Sequence, residues 1–337
     1  MAVYALRRLL LAIPTLIGIT LLTFLVSHAL PKDIVLVNLG DRATQDPELV
    51  AAFRQKWGLD QPLPLQYLRY VSRLARGDLG TSIATNRSVG RELALSVPAT
   101  LELAAVAIII AVPPGILFGV VSAARRGGGS DLIIRGVSSI GLAMPTFWLA
   151  LLMLIVFYLQ LGWAPGPGRL DAGITPPPAV TGMHTIDALL AGDMVALRNA
   201  AAHLVLPAMV LAIVSFAFIV RITRESMLEV LNQDYVRTAR AKGLAQRIVI
   251  GRHALRNALI PVITVTGTLY AQLMAGTVLT ETIFSWPGIG RYAFSSASSL
   301  DFPAIMGTAL VIGATYIVLN LIVDLLYGLV NPRIRYD

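Results

Sequence analysis

Six long stretches of the 337-residue chain lack Asp, Glu, Lys and Arg: 9–31, 103–124, 136–168, 199–220, 257–280 and 302–323. Each reaches the roughly 20 residues that a helix rising about 1.5 Å per residue needs to cross a hydrocarbon core of about 30 Å. The pattern therefore predicts an all-α membrane protein with six transmembrane helices, placed at 1–31, 98–124, 136–161, 204–222, 258–283 and 304–330. Between them lie a segment at 32–97, loops at 125–135, 162–203, 223–257 and 284–303, and a tail at 331–337. The first span follows Arg7 and Arg8 and ends near Ser27-His28-Ala29, which loosely resembles a signal cleavage site. Its apolar run exceeds the roughly 7–15 residues of a signal core, so it reads as a retained helix.

Turn and cap residues refine the segments between spans. Asp46-Pro47-Glu48 predicts a helix that stops at Gly58, and a second begins near Pro62 with Leu65, Leu68 and Val71 on one face, laid on the ends of the bundle. Pro165, Pro167 and Pro176-Pro177-Pro178 make 162–203 mostly irregular, either a cap or docking surface or a mere tether. Pro113-Pro114 and Pro145 interrupt the second and third spans, as plain kinks or as broken helices lining a transport path. Gly115 and Gly119 have the small-xxx-small spacing that lets a neighbouring helix approach closely.

With 56% hydrophobic and 14% charged residues and a mean hydropathy of +0.72, the chain is too apolar to cover a globular surface of its own. It has no cysteine, which removes disulfides and thiolate metal sites, and His28, His184, His203 and His253 are scattered, so no metal cage is expected. No GxxxxGK[ST], HExxH or GxSxG motif is present, so neither nucleotide binding nor hydrolysis is assigned to this chain, and no cofactor with it.

The net charge of +8 does not point to nucleic acid once its distribution is considered. The side holding both termini, 125–135 and 221–257 carries 15 Lys and Arg against five acids, whereas the other side carries 12 against 11. The positive-inside rule then makes both termini cytoplasmic (N-in, C-in) and 32–97 external. Three acids fall within or at the ends of spans: Glu102, Glu281 and Asp324. An ionisable group there costs several kcal/mol unless paired or hydrated, so each is a candidate for a polar pathway or gate. The alternative is a carboxylate that reaches the interface or a neighbouring helix, which Glu281, at a helix end, favours.

The largest cytoplasmic loop contains DYVRTARAKG, 234–243. Asp234 places an acid at the positive end of a short helix, Arg240 and Lys242 place cations near its negative end, and Gly243 supplies the left-handed stop. A helix of about nine residues is too short to stand alone in water and must be held by packing. Tyr235, Thr238, Ala239 and Lys242 at i, i+3, i+4 and i+7 form a face of one aromatic among small residues, suited to a groove on another protein. A basic loop resting on anionic lipid would explain the charge equally, but not the small residues or the glycine. An amphipathic stretch, 246–256, then leads to Pro261 in the first turn of the fifth span.

RTARAKG, at Arg237–Gly243, resembles the cytoplasmic coupling motif of ABC importer permeases, EAA followed by three residues and Gly. RRLLLAIPTLIGITLLTF, RGDLGTS, PATLEL, ETIFSWPGIG and DLLYGLVNPRIR resemble the dipeptide and oligopeptide branch of that family, across nearly the whole chain. Arg237, Thr238 and Ala239 occupy the EAA positions and Gly243 the glycine; Arg237 replaces the acid, and the gap to Pro261 is longer than in the general pattern. The resemblance implies a type I (MetI-like) permease fold and an ATPase-coupling helix made of Asp234, Tyr235, Val236, Arg237, Thr238, Ala239, Arg240, Ala241, Lys242 and Gly243. It also implies a second, homologous permease subunit, two cytoplasmic ATPases that bind ATP and Mg, and an external solute-binding protein, in the inner membrane. The cargo it implies is a dipeptide or short peptide; nickel, glutathione or another small solute in the same machine, and an ATP-independent secondary transporter, are the alternatives.

Overall fold

The computed structural model describes residues 2–29, 35, 37–39 and 46–330, so the expected tail 331–337 and the start of the 32–97 segment lie outside the described residues. In chain order the helices are α1 (Ala2–Ala29), α2 (Pro47–Trp57), α3 (Leu63–Leu74), α4 (Val89–Ala124), α5 (Gly129–Ala143), α6 (Thr146–Met153) and α7 (His184–Ala191). They continue with α8 (Met194–Leu231), α9 (Asp234–Ala241), α10 (Gln246–Ile248), α11 (Leu255–Gly276), α12 (Val278–Ile283), α13 (Ile289–Ser298) and α14 (Phe302–Val330). Among the described residues five stretches are long and apolar enough to cross a membrane: Leu6–Ala29, Val89–Ala124, Met194–Leu231, Gln246–Met274 and Phe302–Leu325. A further pair, Gly129–Ala143 and Thr146–Gln160, is bent by 98° at a short break and makes a sixth stretch if the two halves count as one span. The bend falls at Met144-Pro145, because a residue before proline is driven out of the helical region, and Met144 sits at φ −73°, ψ 126°.

Two expectations about proline need correction. The helix α4 runs unbroken through Pro98, Pro113 and Pro114, and Pro261 lies well inside a helix that starts at Gln246, passes through a π-helical stretch at Val249–Ala254 and continues to Gly276. Packing against neighbours, not local propensity, holds these helices together. The largest contact explains how: Ala99, Leu103, Ala107, Ala111, Gly115, Gly119 and Ala123 recur every fourth residue of α4 and are all buried. This i+4 ridge of mostly small side chains packs on α8. A Cβ on Gly115 would lie 2.7 Å from Ile219 Cγ2, and one on Gly119 would lie 2.5 Å from Thr223 Cβ, so both glycines are required for the approach.

α8 is the central helix of the bundle, in contact with α4, α5, α6, α7 and α11. At 38 residues it is about 57 Å long by the helical rise, far more than the 204–222 span predicted. Its first turn is fixed by Asp193, whose carboxylate accepts the Val195 and Ala196 N–H groups at 3.0 and 2.9 Å. The expected irregular loop at 162–203 is therefore irregular only to 183, and helical beyond apart from a turn at Gly192 and Asp193. α4 likewise starts at Val89 instead of 98, α5 starts at Gly129 inside the expected 125–135 loop, and the fifth span ends by Gly276, leaving Glu281 on the separate helix α12.

Asp46 caps α2 as predicted, accepting from Glu48 N–H at 3.0 Å, and Gly58 ends it in the left-handed region at φ 68°. The predicted apolar face of α3 is different from the buried one. Leu65 and Leu68 are exposed, and α3 instead packs Tyr67, Tyr70, Val71 and Leu74 against Phe24 of α1 and Met306 of α14. Val71 belongs to both sets; the two tyrosines, amphipathic in the sequence, are the anchors.

Candidate functional site

The candidate residues gather at opposite ends of the bundle. At one end α8 projects to Leu231, turns through Asn232 and Gln233, and hands directly to α9, the predicted coupling helix. α9 runs Asp234–Ala241 and ends through Lys242 at Gly243, whose φ of 74° is the left-handed conformation that glycine adopts without strain. Val236 and Ala239 are buried against Val249 and the end of α8, so the inner face of α9 is Val236 and Ala239. This splits the predicted face: Ala239 points into the chain, while Tyr235, Thr238 and Lys242 remain exposed. The reason is that Val236, three residues before Ala239, is the more apolar neighbour and claims the inward side. Tyr235 is held from the side, its hydroxyl accepting Asn257 Nδ2–H at 2.8 Å. Arg237 makes only an exposed contact to Asp234 at 3.4 Å; Arg240, Ala241 and Lys242 are exposed as well.

Close by, Asp131 at the start of α5 is buried and receives Arg224 Nε–H and Nη2–H at 2.8 and 3.0 Å, Ser122 Oγ–H at 2.5 Å and Gly127 N–H at 3.0 Å. Sequence reasoning counted Asp131 and Arg224 as loop charges. Their pairing is what allows α5 to begin with a buried acid, and it ties the α4–α5 turn to α8 two helical turns before α9.

At the other end, four consecutive residues of α4 are each bound to a different element. Ala99 C=O accepts Trp286 Nε1–H at 2.8 Å, and Thr100 Oγ1 donates to Glu281 Oε1 at 2.6 Å while accepting Ile289 N–H at 2.9 Å. Leu101 C=O accepts the Tyr270 hydroxyl at 3.3 Å. Glu102 accepts from Arg169 Nη2–H at 2.5 Å and from Thr185 N–H and Oγ1–H at 2.8 and 2.6 Å. Glu281 is fully buried and also accepts Thr277 Oγ1–H and, at the first turn of α13, Arg291 N–H, both at 2.8 Å. Gly288 leaves no room for a Cβ beside that carboxylate, which explains one glycine of the WPGIG stretch.

Both glutamates are thus buried and saturated with donors beside the N-terminal half of α4. Asp324 is elsewhere, in an ion pair with Arg8 at 2.7 Å, partly exposed. The structure brings Glu102 and Glu281 into one polar clamp and leaves Asp324 apart. Thr100, Arg169, Thr185 and Trp286 are the clamp residues that sequence reasoning missed; PATLEL and ETIFSWPGIG marked two sides of it, without indicating that they meet.

The strap that carries Arg169 is itself fixed. Asp187 accepts Thr181 N–H and Oγ1–H at 2.7 and 2.8 Å and Gly182 N–H at 2.9 Å. Burial pushes its carboxyl up, but these hydrogen bonds outweigh burial and hold it below the usual range. Arg169 also lies over the Trp286 ring at 5.3 Å. Burial lowers its pKa, and the Glu102 charge opposes that. His184 is lowered by burial and then by the Arg169 charge.

A family model for the "Binding-protein-dependent transport system inner membrane component" matches residues 115–336, and one for the "Binding-prot-dependent transport system membrane comp, N-term" matches 1–104. The chain belongs to the binding-protein-dependent transport system inner membrane component family. Among its relatives, this permease is 47% identical over 331 residues to the di/tripeptide transport system permease protein DppB of Pseudomonas aeruginosa (strain UCBPP-PA14), covering 98% of each chain. It is 44% identical over 335 residues to the dipeptide transport system permease protein DppB of Escherichia coli (strain K12), covering 99% of this chain and 98% of the other. The fold is that of a MetI-like permease: a chain of the MetNI methionine ABC transporter, solved in inward-facing conformations, superposes with a TM-score of 0.53 at 16% identity, covering 71% of this permease and 96% of that chain. The permease is a membrane subunit of a transport system.

Proposed function

We propose that this permease forms half of the translocation path of an ATP-driven importer for dipeptides or short peptides, beside a second, homologous permease subunit. Two cytoplasmic ATPases, binding ATP and Mg, engage the exposed side of α9, and a solute-binding protein delivers cargo at the other end. Six crossings, the bent pair α5 and α6 counting as one, put both termini in the cytoplasm of an inner-membrane protein.

One observation supports the coupling reading above others: α9 is a short capped helix with its inner face packed on the chain and its outer face, Tyr235, Thr238 and Lys242, free to be gripped. It is joined to α8 and to the α10–α11 helix by only a few residues on each side, so a push on α9 is carried into two spans. The cargo reading rests on the near full-length similarity to permeases named for dipeptides. In this scheme the 99–102 clamp, with Glu102 and Glu281, is the candidate outer gate, and Asp324 is a candidate pathway residue near α1.

Reconstitution tests the whole. The chain is co-expressed with its second permease and ATPases, placed in proteoliposomes and given a dipeptide-binding protein and labelled dipeptide. ATP-dependent uptake is expected; co-purification without ATPase chains, or uptake that ignores ATP, overturns the reading.

A further inference from the structure

A cavity of about 520 Å³ lies outside the clamp and outside the coupling surface, between α2, α3 and the ends of α1 and α14. Its floor is formed by Phe24 and His28 of α1 and by Phe302 and Met306 of α14. Among the described residues three cations line it, Lys56, Arg69 and Arg73, against one carboxylate, Asp78. Asp78 Oδ1 already accepts Gly80 N–H at 2.8 Å. Among the described residues none of the three cations makes an ion pair. Lys56 lies over the Trp57 ring, at 5.2 Å from its centroid.

The cavity wall also holds two buried polar atoms without a partner, the Tyr70 hydroxyl and Gln61 Oε1. Tyr70 is only 8% exposed, so water from bulk does not easily satisfy it, and a buried polar group left unpaired costs roughly 1–3 kcal/mol. A hydroxyl donor and an amide acceptor buried in the wall, with three exposed cations that lack an ion-pair partner among the described residues, are complementary to a ligand that carries anionic oxygens and hydroxyl groups. Guanidinium groups match phosphate oxygens in charge and geometry.

We propose that this cavity binds a phosphate ester of a polyol, as the headgroup of an anionic phospholipid or as the free ester. The exposed Arg69, Arg73 and Lys56 side chains hold the phosphate, and the Tyr70 hydroxyl and Gln61 Oε1, closed off in the wall of the ligand-free cavity, turn to meet a phosphate oxygen and a polyol hydroxyl. A zwitterionic dipeptide fits less well, because its ammonium group would stand among the cations, with Asp78 the one acid among the described lining residues.

The test uses the full-length chain, purified in phosphate-free neutral detergent, and follows its thermal unfolding during titration with four probes: short-chain phosphatidylglycerol, glycerol phosphate, inorganic phosphate and Ala-Ala. A saturable rise in Tm with phosphatidylglycerol or glycerol phosphate is expected, with half-saturation at least tenfold weaker in the Arg69→Gln/Arg73→Gln variant and several-fold weaker in Tyr70→Phe. Saturation by phosphatidylglycerol alone assigns the lipid; equal response to glycerol phosphate assigns the free ester. If the double variant does not fold, Lys56→Gln, at an exposed position, is read in its place and must weaken binding several-fold. Equal shifts in wild type and variants, no saturable response to any phosphate ester, or saturation by Ala-Ala alone overturns the proposal.

Discussion

Arg224 holds Asp131 by two parallel hydrogen bonds, Nε to one carboxylate oxygen at 2.8 Å and Nη2 to the other at 3.0 Å. The carboxylate is almost completely buried, so the pair fixes the turn between α4 and α5 onto α8. Removing one partner of such a pair leaves a charge without compensation, at a cost of roughly 3–5 kcal/mol. Asp131→Asn is expected to lower the unfolding midpoint of the purified protein strongly, and Arg224→Lys to lower it less. A midpoint unchanged in Asp131→Asn would show that the pair does not hold the turn.

Glycines at the α4–α8 contact should be sharply distinguished from those elsewhere. Gly119→Ala places a Cβ 2.5 Å from that of Thr223 and 2.9 Å from the Val220 carbonyl, and overpacking of this kind costs about 1–3 kcal/mol. Gly18, in α1, has open space within 4 Å of the point where an added methyl group would lie, so Gly18→Ala is expected to be neutral or slightly stabilising through helix propensity. Thermal melts of both variants side by side check the contrast.

The two faces of α9 predict two classes of variant. Ala239→Glu and Val236→Asp put a charge into the packed inner face and should reduce accumulation of the folded protein. Thr238→Glu, on the exposed face, should leave folding intact and reduce ATPase-driven uptake. Gly243→Val forces a side chain into the left-handed region at φ 74°, a strain of about 1–2 kcal/mol. Expression, melting and uptake measured together separate the classes; uptake retained by Thr238→Glu would remove the coupling role of that face.

Glu102 and Asp324 differ in kind despite both being acids in spans. Glu102→Gln strands Arg169, whose side chain is only 8% exposed, and the loss is expected to be roughly 3–5 kcal/mol. Asp324→Asn breaks a pair whose partners are 32% and 46% exposed, worth less than about 1 kcal/mol. If Asp324→Asn abolishes uptake while leaving the melt unchanged, Asp324 acts in the pathway and not in stability.

Asp187 gives a pH dependence. Its folded pKa is depressed, so its contribution is fully present above the unfolded carboxylate value near 4 and is lost as pH falls through the lower folded value. Asp187→Asn should therefore be less stable than wild type at pH 7, by about 1–3 kcal/mol, with the difference shrinking below about pH 4. Melting curves from pH 3 to pH 7 read this directly.

What the sequence determined is local. Runs free of charge marked where spans occur, and the caps Asp46, Gly58 and Gly243 marked helix ends, because a cap depends on backbone groups within about four residues. The short helix α9 was legible for the same reason. The seam of α4 was also written there, as Ala, Leu and Gly at every fourth position, although only Gly115 and Gly119 stood out.

Only the tertiary structure decided which side chains meet. Glu102 is 67 residues from Arg169, and Thr100 is 181 from Glu281, so no periodicity within one helix could pair them. Packing also decided that α4 and α11 run through their prolines while Met144-Pro145 bends by 98°. A proline removes one hydrogen bond and clashes locally, a penalty of about 3 kcal/mol that neighbouring helices can offset. Along α4 the close seam with α8 offsets it. Ala239 turned inward, and Leu65 and Leu68 outward, for a related reason: a helix presents several plausible faces, and the surface it lands on selects one.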